Sequence, residues 1–301
     1  QTPYLSQALA DSDLLIAIGP RLGEMTTGGY QMMGPPVPAQ DLIHVFPAGE
    51  ELGRVYQPAV ALVSDMESFC IAAADWSPIA PDRFTERSAT LRAQFTAFND
   101  PASVPGDPIA PLFAHLAKTL PADAIVCNGA GNYAGWLHRF YRFRAPGSQL
   151  APTGGAMGYG LPGAVGAAAT CPDREVYAIA GDGCFMMTSQ EMATAAQHGA
   201  DVIYVVVNNG MYGTIRMHQE RHHPGKVMAT QLVNPDFVAY AAAFGIAGER
   251  VLSTDGFPAA LERARRSKGG YLIEIVVDPE ALTPNQSLSA VRAEGEAKSA
   301  G

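Results

Sequence analysis

Short apolar runs, each closed by glycine, proline or a small polar residue, punctuate the chain. Leu14-Leu15-Ile16-Ala17-Ile18-Gly19, Leu42-Ile43-His44-Val45-Phe46 and Val60-Ala61-Leu62-Val63 come first. Apolar runs without alternation are what strands buried in a parallel sheet look like. The third ends at Ser64-Asp65 and leads into a helical stretch at Met66–Ala74. From 76 to 111 the texture changes, with prolines at 78, 81, 101, 105, 108 and 111 around one charged helical piece at 83–98. This stretch reads as an interdomain connection. Beyond it, strand-like runs at 124–128, 175–180, 202–207 and 271–277 alternate with helical stretches. That alternation predicts an α/β fold with a doubly wound parallel sheet. Thr188-Ser189-Gln190-Glu191 has the form of a capping box and predicts a helix over 188–198 that closes at Gly199. After Pro279 the chain is polar and rich in small residues, without a core face. The expected layout is a first α/β unit over 1–76, a linker over 77–106, the larger sheet domain over 107–283 and a polar tail over 284–301.

Composition narrows the class. Of 301 residues, 48% are hydrophobic and 16% charged, which suits a sizeable core and excludes disorder, collagen and coiled coil. Twenty Lys and Arg against 29 Asp and Glu leave a net charge of −9, so no nucleic-acid partner is expected. No apolar run reaches the ~18–20 residues of a membrane span, so no membrane partner is expected either. A phosphate-bearing ligand would have to be held by backbone N–H groups, a metal or a local cluster. Cys70, Cys127, Cys171 and Cys184 are scattered and form no C-x-x-C pair, which suits reduced thiols in a cytoplasmic protein. The opening Gln1-Thr2-Pro3 has no initiator methionine and no signal-peptide pattern, and it reads as a cut.

One stretch carries the candidate chemistry. Gly181-Asp182-Gly183 follows the run ending at Ala180, and after 24 residues Asn208-Asn209 follows the run ending at Val207. With a helix between, the unit is strand, loop, helix, strand, and a right-handed crossover returns the second strand parallel to the first. Were the two strands neighbours, both loops would lie at the carboxyl edge of the sheet, where open α/β sheets bind ligands. That edge would hold one carboxylate, one side-chain amide and nearby backbone carbonyls. Such hard oxygens suit Mg2+, which usually leaves positions for phosphate oxygens and water. Glycines flanking Asp182 let the backbone approach a diphosphate. Separately, an Asp in a glycine turn and an Asn pair in a loop are ordinary; their joint spacing and strand context point to a site.

These motifs resemble the thiamine-diphosphate signature. The match extends through Gly154-Gly155-Ala156-Met157-Gly158-Tyr159-Gly160-Leu161-Pro162 and Phe185-Met186-Met187-Thr188. It continues through Asn209-Gly210-Met211-Tyr212-Gly213 and Asn234-Pro235-Asp236-Phe237. Over 13–277 the chain is similar to the acetohydroxyacid-synthase-like (acetolactate synthase large subunit-like) branch of thiamine-diphosphate enzymes. The resemblance implies thiamine diphosphate and Mg2+ as cofactors. Asp182 and Asn209 would give side-chain oxygens to the metal, and Met211 its main-chain carbonyl. Gly181, Gly183, Cys184, Tyr212 and Gly213 would cradle the diphosphate, with Asn132 and Tyr133 reaching it from another loop. Met157 would lie under the bent cofactor, although by itself it reads as core packing. The Gly155 carbonyl would accept a hydrogen bond from the pyrimidine amino group. The implied reaction is decarboxylation of a 2-keto acid, the product then being protonated or joined to a second carbonyl.

The resemblance also implies what this sequence lacks. In the family a glutamate on a separate pyrimidine-binding domain, preceding the middle domain, activates the thiazolium, and no acidic residue here matches it. The chain is then expected to hold the diphosphate domain and the C-terminal part of a Rossmann-like middle domain. Alone it would not turn over, and the pyrimidine-binding domain would come from a missing N-terminal part or another chain. The cofactor lies between subunits in the family, which implies a homodimer or homotetramer. FAD-carrying members have Arg-Phe-Asp-Asp where this chain reads Gly19-Pro20-Arg21-Leu22-Gly23-Glu24, so FAD is not expected. His218 falls where the family places a specificity-determining aromatic, and it could bind a keto-acid carboxylate or donate a proton. Equally, it could lie on a solvated helix face. His218 and His222 around Glu220 have zinc-like spacing but no evident third ligand.

Two rival readings stay open. Gly129-Ala130-Gly131-Asn132-Tyr133-Ala134 fits the G-x-G-x-x-A pattern of an NAD-dependent dehydrogenase, but the first acidic residue after it is Asp173, too far on for a ribose. The other is a non-catalytic thiamine-diphosphate-binding or assembly module. The basic run Arg263, Arg265, Arg266 and Lys268 is explained by a helix C-terminal dipole.

Overall fold

The computed structural model describes residues 2–299. The chain divides into two compact units, Gln1–Phe98 and Asn99–Gly301. The first is built on three parallel strands, β1 (Leu14–Ile18), β2 (Asp41–Phe46) and β3 (Val60–Val63), in that order. Helix α1 (Pro3–Ala10) precedes them, and α2 (Met66–Ala74) and α3 (Thr85–Phe98) follow. Asp65 starts α2 by accepting hydrogen bonds from the Ser68 N–H (2.8 Å) and hydroxyl (2.7 Å). The core is small, centred on Ala17, Leu22, Met33, Leu42 and Tyr56. Of the three runs expected to be buried, only β2 largely is: Leu14 is 45% and Val63 66% exposed. The physical reason is position, since β1 and β3 are edge strands and only β2 is flanked on both sides.

The boundary at Phe98 falls inside the stretch expected as a linker, much of which is helical. Helix α3 packs against α1, with the Tyr4 and Phe98 rings 6.0 Å apart and Arg87 donating to the Ala8 carbonyl (2.6 Å).

The second unit opens with α4 (Ala110–Thr119) and alternates as the sequence predicts. It runs β4 (Ile125–Asn128), α5 (Tyr133–Phe140), β5 (Gln149–Leu150), α6 (Gly160–Thr170), β6 (Val176–Gly181), α7 (Asp182–Phe185), α8 (Met192–His198) and β7 (Ile203–Asn208). Then come α9 (Gly213–His222), α10 (Phe237–Ala242), β8 (Ala247–Val251), α11 (Phe257–Arg266), β9 (Tyr271–Val276) and α12 (Leu288–Ser299). All six strands are parallel, in the order β5-β4-β6-β7-β9-β8. The α/β class with a doubly wound sheet is therefore as expected. Interior strands supply the core through Val126, Ile179, Val205 and Ile273, all buried. The edge strands β5 and β8 carry no apolar run and escape the sequence pattern.

Two local expectations are corrected. The capping box does not form: the Thr188 hydroxyl donates instead to the Gly158 carbonyl (2.7 Å), and Ser189–Glu191 is a 3₁₀ turn ahead of α8. Gly199 closes α8 in the left-handed conformation, as predicted. The stretch 284–301 is no featureless tail either. It contains α12, which packs on α9 and buries Leu288, Val291 and Gly295. A Cβ at Gly295 would collide with the Glu220 carbonyl oxygen, so glycine is what lets the two backbones approach.

Candidate cofactor site

Strands β6 and β7 are neighbours, with Gly181 opposite Val207. Their carboxyl ends therefore deliver the Gly181-Asp182-Gly183 turn and Asn208-Asn209 side by side. One cavity opens there. Gly181, Asp182, Gly183 and Cys184 line it from the β6 turn, and Asn209, Met211, Tyr212 and Gly213 from the β7 loop. Asn132 and Tyr133 line it from the loop after β4, and Gly155 and Met157 from the turn before α6. Every residue expected at the cofactor is in this wall. His218 is not; it lies farther along α9, stacked on His222 at 6.1 Å between ring centroids. Ile109, Trp136, Val277 and Leu282 add apolar side chains to the lining. They come from three separate parts of the chain, and no motif announces them.

Asp182 is the electrostatic centre. It is 2% exposed, and among the described residues no cationic side chain pairs with it. Burial pushes its carboxyl above the usual carboxylate range, against hydrogen bonds that favour the charged form. Its Oδ2 accepts from the Asn234 amide (2.7 Å) and the Gly210 N–H (2.9 Å). Gly210 has φ +68°, and this left-handed turn aims its N–H at both Asp182 and the Asn208 Oδ1 (3.1 Å). Among the described residues, Asn209 Oδ1 receives a long contact from the Met211 N–H (3.3 Å).

The site suits the cofactors the motif calls for. A buried carboxylate without a countercharge is costly, and a divalent cation relieves that cost. Asp182, the Asn209 amide oxygen and the Met211 carbonyl form a hard-oxygen set appropriate to Mg2+, with positions left for phosphate oxygens. The turn beside them is open to a diphosphate because Gly183 has no side chain; a Cβ there would sit 2.5 Å from the Tyr212 ring. Cys184 is held by the Tyr133 hydroxyl (3.4 Å) and the Gly158 N–H (3.2 Å), both donating to its sulfur. Thr214 donates to Asn132 (2.8 Å), tying the β4 loop to the start of α9.

The zinc-like spacing of His218, Glu220 and His222 corresponds to no metal cluster. Among the described residues, no group of three or more His, Cys, Asp or Glu could hold a metal. Glu220 is fully buried and paired with Arg216 (2.8 Å) and Arg292 (2.6 Å). Among the described residues no helix is long and apolar enough to cross a membrane.

Comparison with known proteins bears on the family of the chain. Residues 129–275 match the family model "Thiamine pyrophosphate enzyme, C-terminal TPP binding domain", and residues 1–72 match "Thiamine pyrophosphate enzyme, central domain". The acetolactate synthase large subunit of Corynebacterium glutamicum is 34% identical over 291 residues, covering 91% of this chain and 45% of that protein. Acetolactate synthase isozyme 2 large subunit of Escherichia coli is 32% identical over 275 residues, covering 90% and 49% respectively. Among solved structures, the thiamine diphosphate-dependent 4-hydroxybenzoylformate decarboxylase of Rhodococcus jostii RHA1 superposes with a TM-score of 0.71 at 28% identity, over 91% of this chain and 50% of that one. The chain thus spans about half the length of the relatives it matches. With both models matched and the signature assembled in one cavity, the chain belongs to the thiamine pyrophosphate enzymes, of which it carries central- and C-terminal-domain sequence.

Proposed function

We propose that the protein acts on 2-keto acids as a thiamine-diphosphate- and Mg2+-dependent decarboxylase or carboligase of the acetolactate-synthase type, and that this chain holds the diphosphate and the metal. The observation that carries the reading is the buried Asp182 carboxylate, with no cationic partner among the described residues, beside Asn209 and Met211 at the sheet edge. Thiamine diphosphate, when bound, supplies an electron sink for the pair released as CO₂ leaves a 2-keto acid. The protein's own residues orient and shield. Asp182, Asn209 and the Met211 carbonyl would hold Mg2+, and the glycine turn would take the diphosphate. Met157 would support the cofactor's bend, with the Gly155 carbonyl receiving the pyrimidine amino group. Ile109, Trp136 and Leu282 would give the cavity apolar lining that disfavours water.

No acidic residue of this chain matches the activating glutamate, so turnover is proposed to require a pyrimidine-binding domain from elsewhere in the protein or another chain. The pairing implied is a homodimer or homotetramer, and the four free thiols fit a cytoplasmic setting. His218 is proposed to act on substrate only if α9 brings it to the cavity in the assembled enzyme.

Calorimetric titration with thiamine diphosphate, with and without Mg2+, tests the reading. Saturable binding that needs Mg2+ and weakens at least about tenfold in Asp182→Asn is expected. Absence of binding in both conditions sinks the proposal. Binding without keto-acid decarboxylation once a pyrimidine-binding domain is supplied would instead favour a non-catalytic module.

A further inference from the structure

Behind Asp182 runs a line of polar side chains that no signature motif predicts as a unit. Asn234, in the loop before α10, spends both amide hydrogens: one on Asp182 Oδ2 (2.7 Å) and one on Asn208 Oδ1 (3.0 Å). Asn208, at the end of β7, donates in turn to Glu274 Oε1 (2.7 Å). Glu274 is on β9, only 1% exposed, and its other oxygen accepts from Arg250 Nε (2.7 Å) on the neighbouring strand β8. Arg250 also lies 3.5 Å from Asp236, two residues after Asn234, so the line closes on itself through Pro235.

The sense of donation along this line is forced. Arginine only donates and an ionised glutamate only accepts. Glu274 therefore obliges Asn208 to present its NH₂ to β9 and its oxygen to Asn234. That oxygen obliges Asn234 to present its own NH₂, and the same NH₂ reaches Asp182. An amide whose two ends are alike in shape is thus set in one orientation by a cation two strands away.

Resting on the cofactor reading above, we propose that Asn234 is a positioning residue for the metal: oriented through Asn208, Glu274 and Arg250, it occupies Asp182 Oδ2 so that Oδ1 is the oxygen presented to Mg2+. The device matters more for Mg2+ than for Ca2+. Mg2+ demands near-ideal octahedral geometry at short distances, whereas Ca2+ accepts irregular coordination and a swinging carboxylate. Groups that orient a metal's ligands commonly carry 10- to 100-fold in affinity.

The test compares Mg2+ and Ca2+ affinities in the presence of excess thiamine diphosphate, by calorimetry, for the unsubstituted chain, Asn234→Ala and Glu274→Gln. Asn234→Ala is expected to weaken Mg2+ about tenfold and Ca2+ by less than about threefold, shifting the ratio towards Ca2+. Glu274→Gln never touches the metal ligands, and it should shift the ratio in the same direction to a smaller degree. It also serves as the readout if the alanine variant fails to fold. General destabilisation would weaken both metals alike, so an unchanged ratio overturns the proposal. If the unsubstituted chain takes up neither metal with thiamine diphosphate, the cofactor reading fails and the positioning role fails with it.

Discussion

Cys127 and Cys184 are both buried, yet their surroundings differ. The Cys127 thiol lies within β4 and burial pushes it up to about 12. Cys184 has two donors on its sulfur and lines the cavity. Cys70, by contrast, is exposed on α2, and Cys171 is half-buried. Reactivity follows thiolate fraction and access. Maleimide labelling of the native chain near pH 8, followed by peptide mapping, should mark Cys70 first and Cys171 more slowly. Cys127 and Cys184 should react only on unfolding. Labelling of Cys184 as fast as Cys70 would contradict the packing of the β6 turn, and with it the shape of the diphosphate wall. Asp182 and Gly183 were legible from sequence because the motif is contiguous and chemically distinctive. Asn234 was legible only as part of a family pattern, its bond to Asp182 being made across 52 residues.

Helices α9 and α12 depend on a single buried charge. Hydrogen bonds from Arg292 first, helped by the Gly225 N–H and Arg216, hold the Glu220 carboxyl at about 2. Its ordinary value is 4.5, so the ionised form is favoured by folding. The contribution is complete above pH 4.5 and is lost as the pH falls from there through about 2. Arg292 is 41% exposed, which screens the pair, and the expected loss is about 1–3 kcal/mol. Urea midpoints measured at successive pH values should fall across that window. Arg292→Ala should lower the midpoint at neutral pH and flatten the acid step. An acid step of unchanged size in that variant would mean that another group is responsible.

The two units differ in how much core each encloses. Apolar side chains from 109 to 277 form one continuous cluster in the second, while five buried residues anchor the first. Cooperative opening should follow that division. Hydrogen exchange read by mass spectrometry should show the slowest amides on β4, β6, β7 and β9. Strands β1 to β3 should exchange measurably faster, because Leu14, Ile16, Val60 and Val63 leave their sheet exposed. Equal protection in both units would require that the first be stabilised by contacts other than its own core.

Seven of the nine strands among the described residues were readable from apolar runs alone; the buried ones of the larger sheet leave the continuous hydrophobic trace of a parallel strand, whereas β1 and β3 carry the same trace at exposed edges. The order Gly-Asp-Gly to Asn-Asn likewise carried the site's chemistry, because a strand end fixes where its following loop must lie. Edge strand β8 was not readable: Glu249 and Arg250 interrupt its pattern, and their partners are Arg263 and Glu274, remote in sequence. Helix α12 was missed because it buries a face of Val291 and Gly295 against α9, too little apolar surface to give a stripe. The Thr188 hydroxyl suited a local role that it does not play, a helix cap, and Glu220, set between two histidines of zinc-like spacing, is instead paired with Arg216 and Arg292. A polar side chain has several possible partners near it in sequence; which one it takes depends on what the folded chain brings within hydrogen-bond reach. Backbone period and strand-end chemistry are local and so are written along the chain, whereas the pairing of buried polar groups exists only once distant segments have met.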